Sequence, residues 1–235
     1  MAALWRGEGG QHQGGRPYQE DSWALRTLPD GTVLAVLADG MGGHAGGAVA
    51  SKMAVDAFLK SIEQGQSLAE GLQNANAAVK AGAAAKAELA GMGSTLVGVL
   101  LKDDEARWIS VGDSPLYLVA DGTLERLNAD HSFVPHIEAM LERGMITAEE
   151  AANHPNRHVL REAIMGEPLK LIDEGKRRLD SGATLLVCSD GVESLDHKKI
   201  VAAAREPVRH LLDAVLAVRK PHQDNVTIIK LDRQA

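Results

Sequence analysis

Hydrophobic and polar positions follow two patterns along this chain, short apolar runs typical of β-strands and longer amphipathic stretches with helical spacing. The strand-like runs cover residues 23–28, 32–38, 95–101, 107–111, 116–119, 183–189 and 225–231, with a shorter run near 124–127. The helical stretches cover residues 48–60, 68–89 and 198–220. The pattern therefore predicts two strands, two helices, a group of strands, and a closing strand, helix and strand.

The connections between the strand-like runs are short. Pro29-Asp30-Gly31 separates the first two runs, and Lys102-Asp103-Asp104 and Gly112-Asp113-Ser114-Pro115 separate three of the later ones. Such connections cannot hold a crossover helix, so we expect antiparallel strands. With helices between and after them, the runs predict an α+β fold in which two antiparallel sheets pack face to face, as one domain over residues 1–235.

Residues 131–165 are more polar and helical, with a break at Asn153-His154-Pro155-Asn156. Two interpretations remain open for this segment: a mobile flap beside a site, or a helical excursion on the surface. We define residues 132–156 as the flap segment.

Composition and charge exclude several classes of protein. Of 235 residues, 45% are hydrophobic, which is enough for a core, while the net charge of −7 argues against nucleic acid or an anionic membrane as a partner. The single cysteine rules out a disulfide framework, and neither an apolar run of about 18 residues nor a secretory leader is visible. We therefore expect a soluble, cytoplasmic protein.

Acidic residues stand at the rims of the apolar runs. Asp39-Gly40 and Asp190-Gly191 each end a run, and Asp224 comes just before the last one. Asp-Gly alone is often only a turn, but carboxylates collected beside a core repel one another unless cations neutralise them. Oxygen ligands suit Mg²⁺ or Mn²⁺ better than zinc, and one bridging aspartate can hold two such ions. The pattern favours a shared metal site.

Seven ordered motifs in this chain resemble those of the metal-dependent (type 2C, PPM) serine/threonine protein phosphatases, in their compact bacterial form. The motifs are Arg16-Pro17-Tyr18-Gln19-Glu20-Asp21, Ala38-Asp39-Gly40-Met41-Gly42-Gly43-His44, Gly91-Met92-Gly93-Ser94-Thr95-Leu96, Gly112-Asp113-Ser114, Asp130-His131-Ser132, Cys188-Ser189-Asp190-Gly191 and Asp224-Asn225-Val226-Thr227. The resemblance covers nearly the whole chain. It implies a four-layer α-β-β-α sandwich with a dinuclear Mn²⁺ or Mg²⁺ centre at one end.

The resemblance also implies a set of metal ligands. Asp39 would bridge two ions and Gly40 would offer its carbonyl to one of them. Asp190 and Asp224 would bind the other ion, and Asp113 would help to hold a third, looser one.

The remaining implied roles concern the substrate. Arg16 would bind the phosphate through its guanidinium fork, and Asp21 would act through metal-bound water as an outer partner. Metal-bound hydroxide would attack phosphoserine or phosphothreonine directly, without a phosphoenzyme. His44 is the candidate general acid for the leaving alkoxide, and a metal-bound water is the alternative.

The chain departs from the family pattern at three positions. Gln19 stands where many relatives carry Asn, Ser94 where Thr is common, and Pro115 where bacterial members often carry Arg. None of the three is an implied metal ligand, but Pro115 changes the loop beside Asp113.

As partners, the resemblance implies phosphorylated proteins, specifically a serine/threonine kinase and its substrates, with the flap segment as the place to look for selectivity; we expect a monomer. Two alternatives remain open. One is a phosphoprotein-binding module of the same fold, which would be expected to lose metal ligands. The other is a dinucleotide-binding oxidoreductase, suggested by Gly40-x-Gly42-x-x-Ala45, although Asp39 would repel a pyrophosphate there.

Overall fold

The computed structural model describes residues 4–42 and 45–234, which contain twelve strands and six α-helices. The strands are β1 (Trp5–His12), β2 (Ser22–Thr27), β3 (Val33–Ala38), β4 (Gly40–Met41), β5 (Gly93–Ser94), β6 (Leu96–Lys102), β7 (Glu105–Val111), β8 (Leu116–Ala120), β9 (Thr123–Arg126), β10 (Asp173–Arg178), β11 (Thr184–Cys188) and β12 (Val226–Arg233). The helices are α1 (Ala45–Glu63), α2 (Leu68–Ala85), α3 (Val134–Glu142), α4 (Ala148–Ala152), α5 (His197–Ala203) and α6 (Val208–Ala217). Two 3-10 turns cover Ala87–Leu89 and Asp190–Ser194.

The strands form two five-stranded sheets and one small ribbon. The first sheet has the order β1-β12-β11-β8-β9, the second has the order β10-β7-β6-β3-β2, and β4 pairs with β5. All the pairs are antiparallel, as the short connections predicted. This pairing argues against the dinucleotide-binding alternative, because that fold is built from parallel strands joined by crossover helices.

Three apolar clusters separate four layers. The middle cluster lies between the two sheets, with Val33, Ala35 and Leu37 of β3 on one side and Leu185 and Val187 of β11 on the other. A second cluster packs the alternate β3 side chains against α1 and α2, and a third packs the outer face of the other sheet against α5 and α6. Both faces of β3 are buried, which explains its continuous apolar sequence. The α-β-β-α sandwich is confirmed.

Four strands were absent from the prediction: β4 and β5, which form the small ribbon, and β1 and β10, which lie at the edges of the two large sheets. The sequences of β1 (WRGEGGQH) and β10 (DEGKRR) are rich in glycine and charge, so they show no apolar run. Charged edge strands of this kind are common because they discourage pairing with other molecules.

Three other expectations on elements were wrong in detail. The single helix over 198–220 is two helices, since Pro207 begins α6 and cannot continue the hydrogen bonding of α5. The helix over 68–89 ends at Ala85 and is followed by a 3-10 turn. Strands β7 and β8 do not pair with each other, because residues 112–115 carry the chain from one sheet to the other.

The flap segment contains α3 and α4, two short helices with mostly exposed side chains. Ile137 of α3 is buried, and Thr147 and Glu150 form a capping box at the start of α4. The segment is thus helical and lies at the surface. Among the described helices, none is long and apolar enough to cross a membrane.

Candidate metal centre

One end of the sandwich collects the acidic residues that the sequence indicated. Strands β3, β7 and β11 end there, and β2, β8 and β12 begin there. The loops at this end carry five aspartates, Asp21, Asp39, Asp113, Asp190 and Asp224. We call this end the acidic end, and the opposite end, with the turns at residues 29–31, 103–104 and 121–122, the turn end.

The backbone of Asp39 is fixed by the strand that follows the helices. Its N–H donates to Thr95 Oγ1 at 2.9 Å, and its carbonyl accepts from the Thr95 N–H and the Ser94 hydroxyl, both at 2.9 Å. Three hydrogen bonds at one residue leave little freedom to the main chain. The Asp39 carboxyl is therefore held at the mouth of the sheet.

Glycine is required after Asp39 and after Asp190. A Cβ on Gly40 would lie 2.1 Å from the Gly47 carbonyl oxygen, and a Cβ on Gly191 would lie 2.1 Å from that of Asn225. No side chain can be accommodated at such distances without moving the neighbouring backbone. The two Asp-Gly pairs therefore let other segments approach the aspartates closely.

Asp21 links the two sheets. Its buried carboxyl accepts hydrogen bonds on Oδ2 from Ser189 Oγ at 2.8 Å and from Thr227 Oγ1 at 2.7 Å, whereas Oδ1 is buried without a hydrogen-bond partner. Burial raises the pKa of Asp21 to about 6, although the two hydroxyl donors oppose this. The negative charge of Asp224 raises the pKa of Asp21 further.

The other carboxyls of the acidic end share this electrostatic environment. Burial raises the pKa of Asp39 well above its ordinary value, and the charges of Asp21, Asp190, Asp113 and Asp224 raise it further. Burial likewise raises the pKa of Asp190, with Asp113 as its strongest charged neighbour. These carboxyls change one another's pKa through their charges, which indicates that the five side chains lie close together.

Asp113 lies at the outer side of this group. Burial raises its pKa to about 6, and the negative charge of Asp130 adds to the effect. Ser114, the next residue, lies with its hydroxyl oxygen 2.7 Å from Thr95 Oγ1, which binds the Asp39 amide. A chain of hydrogen bonds therefore connects the loops of Asp39 and Asp113.

Arg16 reaches the acidic end from the segment between β1 and β2. Its Nη2 donates to Asp224 Oδ2 at 2.6 Å, and the two side chains are 47% and 39% exposed. This hydrogen bond raises the pKa of Arg16, as do the charges of Asp190 and Glu20. The structure therefore pairs Arg16, the residue predicted to bind the substrate phosphate, with Asp224, a predicted metal ligand.

The donor set fits hard divalent cations. Within residues 4–42 and 45–234, no three His, Cys, Asp or Glu side chains stand close enough to ligate one ion in their present rotamers. However, Asp21 and Asp190 each have a buried Oδ1 atom without a partner, and the charges of four other aspartates act on Asp39. Oxygen donors with this spare capacity suit Mn²⁺ or Mg²⁺.

The structure adds Asn225 to the residues that build the centre. Its buried amide donates to the carbonyls of Gln13 at 2.7 Å and Tyr18 at 3.0 Å, and accepts from the Glu20 N–H at 2.7 Å. Asn225 thus fastens the segment that carries Arg16 to the start of β12. The only sequence signal for this role was its place in a motif directly after Asp224.

Asn128 performs a similar task on the other side. Its buried amide accepts from the Leu116 N–H at 2.7 Å and donates to the Ser114 carbonyl at 3.0 Å and the Ser110 hydroxyl at 3.1 Å. It therefore clamps the loop in which Asp113 lies. The proposed general acid, His44, lies outside the described residues.

Comparisons with known proteins agree with this architecture. A model of the protein phosphatase 2C family matches residues 8–225. The serine/threonine protein phosphatase PstP of Mycobacterium tuberculosis is 34% identical over 218 residues, which cover 86% of this chain and 40% of PstP. The serine/threonine phosphatase stp of Listeria welshimeri is 30% identical over 233 residues, covering 93% of this chain and 91% of stp.

A solved structure is also similar to the whole sandwich. The catalytic domain of a PstP phosphatase, in complex with two manganese ions, superposes with a TM-score of 0.80 at 30% identity, covering 98% of this chain and 99% of that domain. The chain spans 40% of the length of the mycobacterial PstP and nearly all of the listerial protein. The family model covers residues 8–225, which include the five aspartates of the acidic end, and the listerial relative covers 93% of the chain, so the chain belongs to the protein phosphatase 2C family.

Proposed function

We propose that this protein is a metal-dependent serine/threonine protein phosphatase that hydrolyses phosphoserine and phosphothreonine. The observation that carries the proposal is the convergence of five aspartates, with Arg16 beside them, at one end of the sandwich. The names of the relatives, PstP and stp, support the same activity. The competing binding-module hypothesis expects a loss of acidic ligands, but the chain retains them all.

The aspartates take different roles in this proposal. Asp39, whose main chain makes three hydrogen bonds, would help to hold both cations, and Gly40 would offer its carbonyl to one of them. Asp190 and Asp224 would hold the other cation, and Asp113 would help to hold a third. Two Mn²⁺ or Mg²⁺ ions bound at these residues would supply an activated water and offset the charge of the phosphate.

The substrate phosphate is proposed to bind Arg16. A guanidinium donates two parallel hydrogen bonds to phosphate oxygens, and Arg16 is half-exposed, so it can exchange Asp224 for a ligand. Asp21 orients water at the edge of the centre through its partner-free Oδ1 atom. His44 is proposed to donate the proton that the leaving serine or threonine oxygen needs.

Phosphorylated proteins are the proposed substrates, and a serine/threonine kinase with its targets is the proposed biological counterpart. Because protein kinases require ATP, we propose that the phosphatase acts in the cytoplasm. We also propose that the chain works as a monomer.

The proposal is tested by hydrolysis of p-nitrophenyl phosphate and of a phosphothreonine peptide, with Mn²⁺ and with EDTA. We expect turnover only with Mn²⁺, and we expect Asp39→Asn to abolish it without unfolding the protein. Asp56→Asn is the matched control, because Asp56 pairs with Lys52 on the exposed face of α1. Binding of the peptide without any Mn²⁺-dependent turnover would favour the binding module instead.

A further inference from the structure

Arg126 places a guanidinium among the acids of the outer acidic end. It is the last residue of β9, and its side chain is 22% exposed. Nη2 donates to the Asp113 carbonyl at 2.6 Å, Nη1 donates to Asp130 Oδ2 at 3.2 Å, and Nη1 lies 3.6 Å from Glu193 Oε1. One side chain therefore contacts three segments that surround the same region.

Each of these segments leads to part of the centre. The Asp113 carbonyl belongs to the loop that crosses between the two sheets. Asp130 Oδ1 accepts from the Ser132 N–H at 2.8 Å, at the start of the flap segment. Glu193 lies in the 3-10 turn that begins with Asp190.

The crossing loop is held on both sides of Asp113. On the Gly112 side, the Gly112 N–H donates to His131 Nδ1 at 3.3 Å, and the His131 N–H donates to the Gly112 carbonyl at 3.0 Å. Asn128 holds the loop on the Ser114 side, and Pro115 has no N–H to donate. The Asp113 carbonyl is bound by Arg126 from the neighbouring strand.

We propose that Arg126 is a positioning residue for Asp113. Its planar fork holds the crossing loop against Asp130 and Glu193, so that the Asp113 carboxyl faces Asp190 and is ready to serve the outer cation site. The part of this inference that concerns metal affinity rests on the proposed function. The part that concerns the loop does not, because it follows from contacts among residues of this chain.

The direction in which the Mn²⁺ affinity changes when Arg126 is replaced distinguishes a positioning role from a charge effect. By its field alone, a cation near the site would repel Mn²⁺, so removing that charge would strengthen binding. If Arg126 acts by positioning, removal weakens binding instead, because a misplaced supporting group typically costs 10–100-fold in metal affinity. Lysine keeps the charge but cannot form the planar fork.

The experiment uses the full chain freed of metal with EDTA. Mn²⁺ is titrated calorimetrically into the wild type, Arg126→Gln, Arg126→Lys and the control Arg177→Gln, and backbone hydrogen exchange is measured on the metal-free proteins. Arg177 is a suitable control because it forms an ion pair with Glu125, next to Arg126, but is half-exposed at a sheet edge. Thermal melts confirm that each variant is folded.

We expect both Arg126 variants to weaken the weakest Mn²⁺ site about tenfold or more and to speed exchange over residues 112–116, while Arg177→Gln changes neither. Tighter binding by Arg126→Gln, or wild-type behaviour of Arg126→Lys, would overturn the proposal in favour of a charge effect. Unchanged exchange in both variants would also overturn it. Absence of Mn²⁺ binding by the wild type would count against the proposed function, and the exchange result would still decide the role of Arg126.

Discussion

The dipeptide Asp-Gly occurs at both ends of the sandwich, but its aspartate has different surroundings at each end. At the turn end, Asp30-Gly31 lies in the β2–β3 turn, where Asp30 is exposed and receives a hydrogen bond from Lys102 at 2.9 Å. That bond holds the pKa of Asp30 below its ordinary range. At the acidic end, Asp39-Gly40 follows the same strand, but burial and neighbouring carboxyls raise the pKa of Asp39.

The surroundings of an acid, rather than its dipeptide, therefore distinguish a surface turn from a candidate metal ligand. Asp30 has a lysine partner and water around it, so its charge costs little. Asp39 faces other carboxyls, and its ionised form is stabilised only when cations are added. We therefore expect substitutions and changes of pH to have different effects at the two ends.

The largest expected effect is a loss of turnover on substitution of Asp190 at the acidic end, compared with substitution of Asp121 in the β8–β9 turn. Asp190→Asn should lower Mn²⁺-dependent turnover by more than about 100-fold, since even supporting residues around a metal commonly contribute 10–100-fold. Asp121→Asn should leave turnover unchanged, because Asp121 is an exposed turn residue with a left-handed backbone. Steady-state hydrolysis of p-nitrophenyl phosphate over a Mn²⁺ series measures both, and equal losses in the two variants would contradict the division of the ends.

The central strands and the acidic end could be predicted because burial leaves a strong signal in sequence. Strand β3 is buried on both faces, so it appears as an uninterrupted apolar run that ends in Asp39. The edge strands β1 and β10 have an exposed side, and their glycines and charges conceal them. The predicted helix over 198–220 is split at Pro207. The proline indicated a helix boundary, but the prediction followed the helical spacing of the apolar residues on both sides of it.

The supporting residues of the site could not be predicted in the same way. Asn225 acts through backbone groups more than 200 residues away in the chain, and Arg126 acts through the backbone of the crossing loop. Such contacts depend on how the two sheets meet, which short-range patterns do not encode. The acids were found from the sequence, whereas the groups that orient them emerge only from the fold.

The second prediction concerns the stability of the metal-free protein between pH 5 and 7.5. The folded pKa of Asp21 is raised from 3.8 to about 6, so the fold favours the protonated form, and this contribution to stability is lost as the pH rises through 6. The full contribution, lost between about pH 4 and pH 6, is about 3 kcal/mol at 1.36 kcal/mol per pKa unit, and about 1.4 kcal/mol of it is lost above pH 5. Asp113, also raised to about 6, acts in the same direction. We therefore expect the melting temperature in EDTA to fall over this range.

Substitutions at both ends serve as controls for this measurement of stability against pH. Asp21→Asn should flatten the decline, whereas Asp30→Asn should not, since the lowered pKa of Asp30 makes its contribution fade only on acidification. Adding Mn²⁺ should reverse the trend, because cation binding favours ionised carboxyls. A metal-free protein that becomes more stable from pH 5 to 7.5 would show that the acidic end is not strained by its own charge.

The smallest expected effect compares two threonines that make the same bond at opposite ends. Thr227 Oγ1 donates to Asp21 Oδ2 at 2.7 Å at the acidic end, and Thr184 Oγ1 donates to Asp232 Oδ1 at 2.7 Å at the turn end. Valine replaces either side chain with nearly the same shape but no hydroxyl. Thr227 is fully buried and Thr184 is not, so the loss of the donor matters more at position 227.

We expect Thr227→Val to raise the pKa of Asp21 and to weaken Mn²⁺ binding about tenfold, because Asp21 keeps only the Ser189 donor. Thr184→Val should leave the Mn²⁺ affinity unchanged, since water can replace its hydroxyl at Asp232. Calorimetric Mn²⁺ titrations of the two variants, run at one pH, provide the measurement. Equal affinities would mean that the Asp21 hydrogen bonds serve only the packing of the two sheets, and that the acidic end depends on its carboxylates alone.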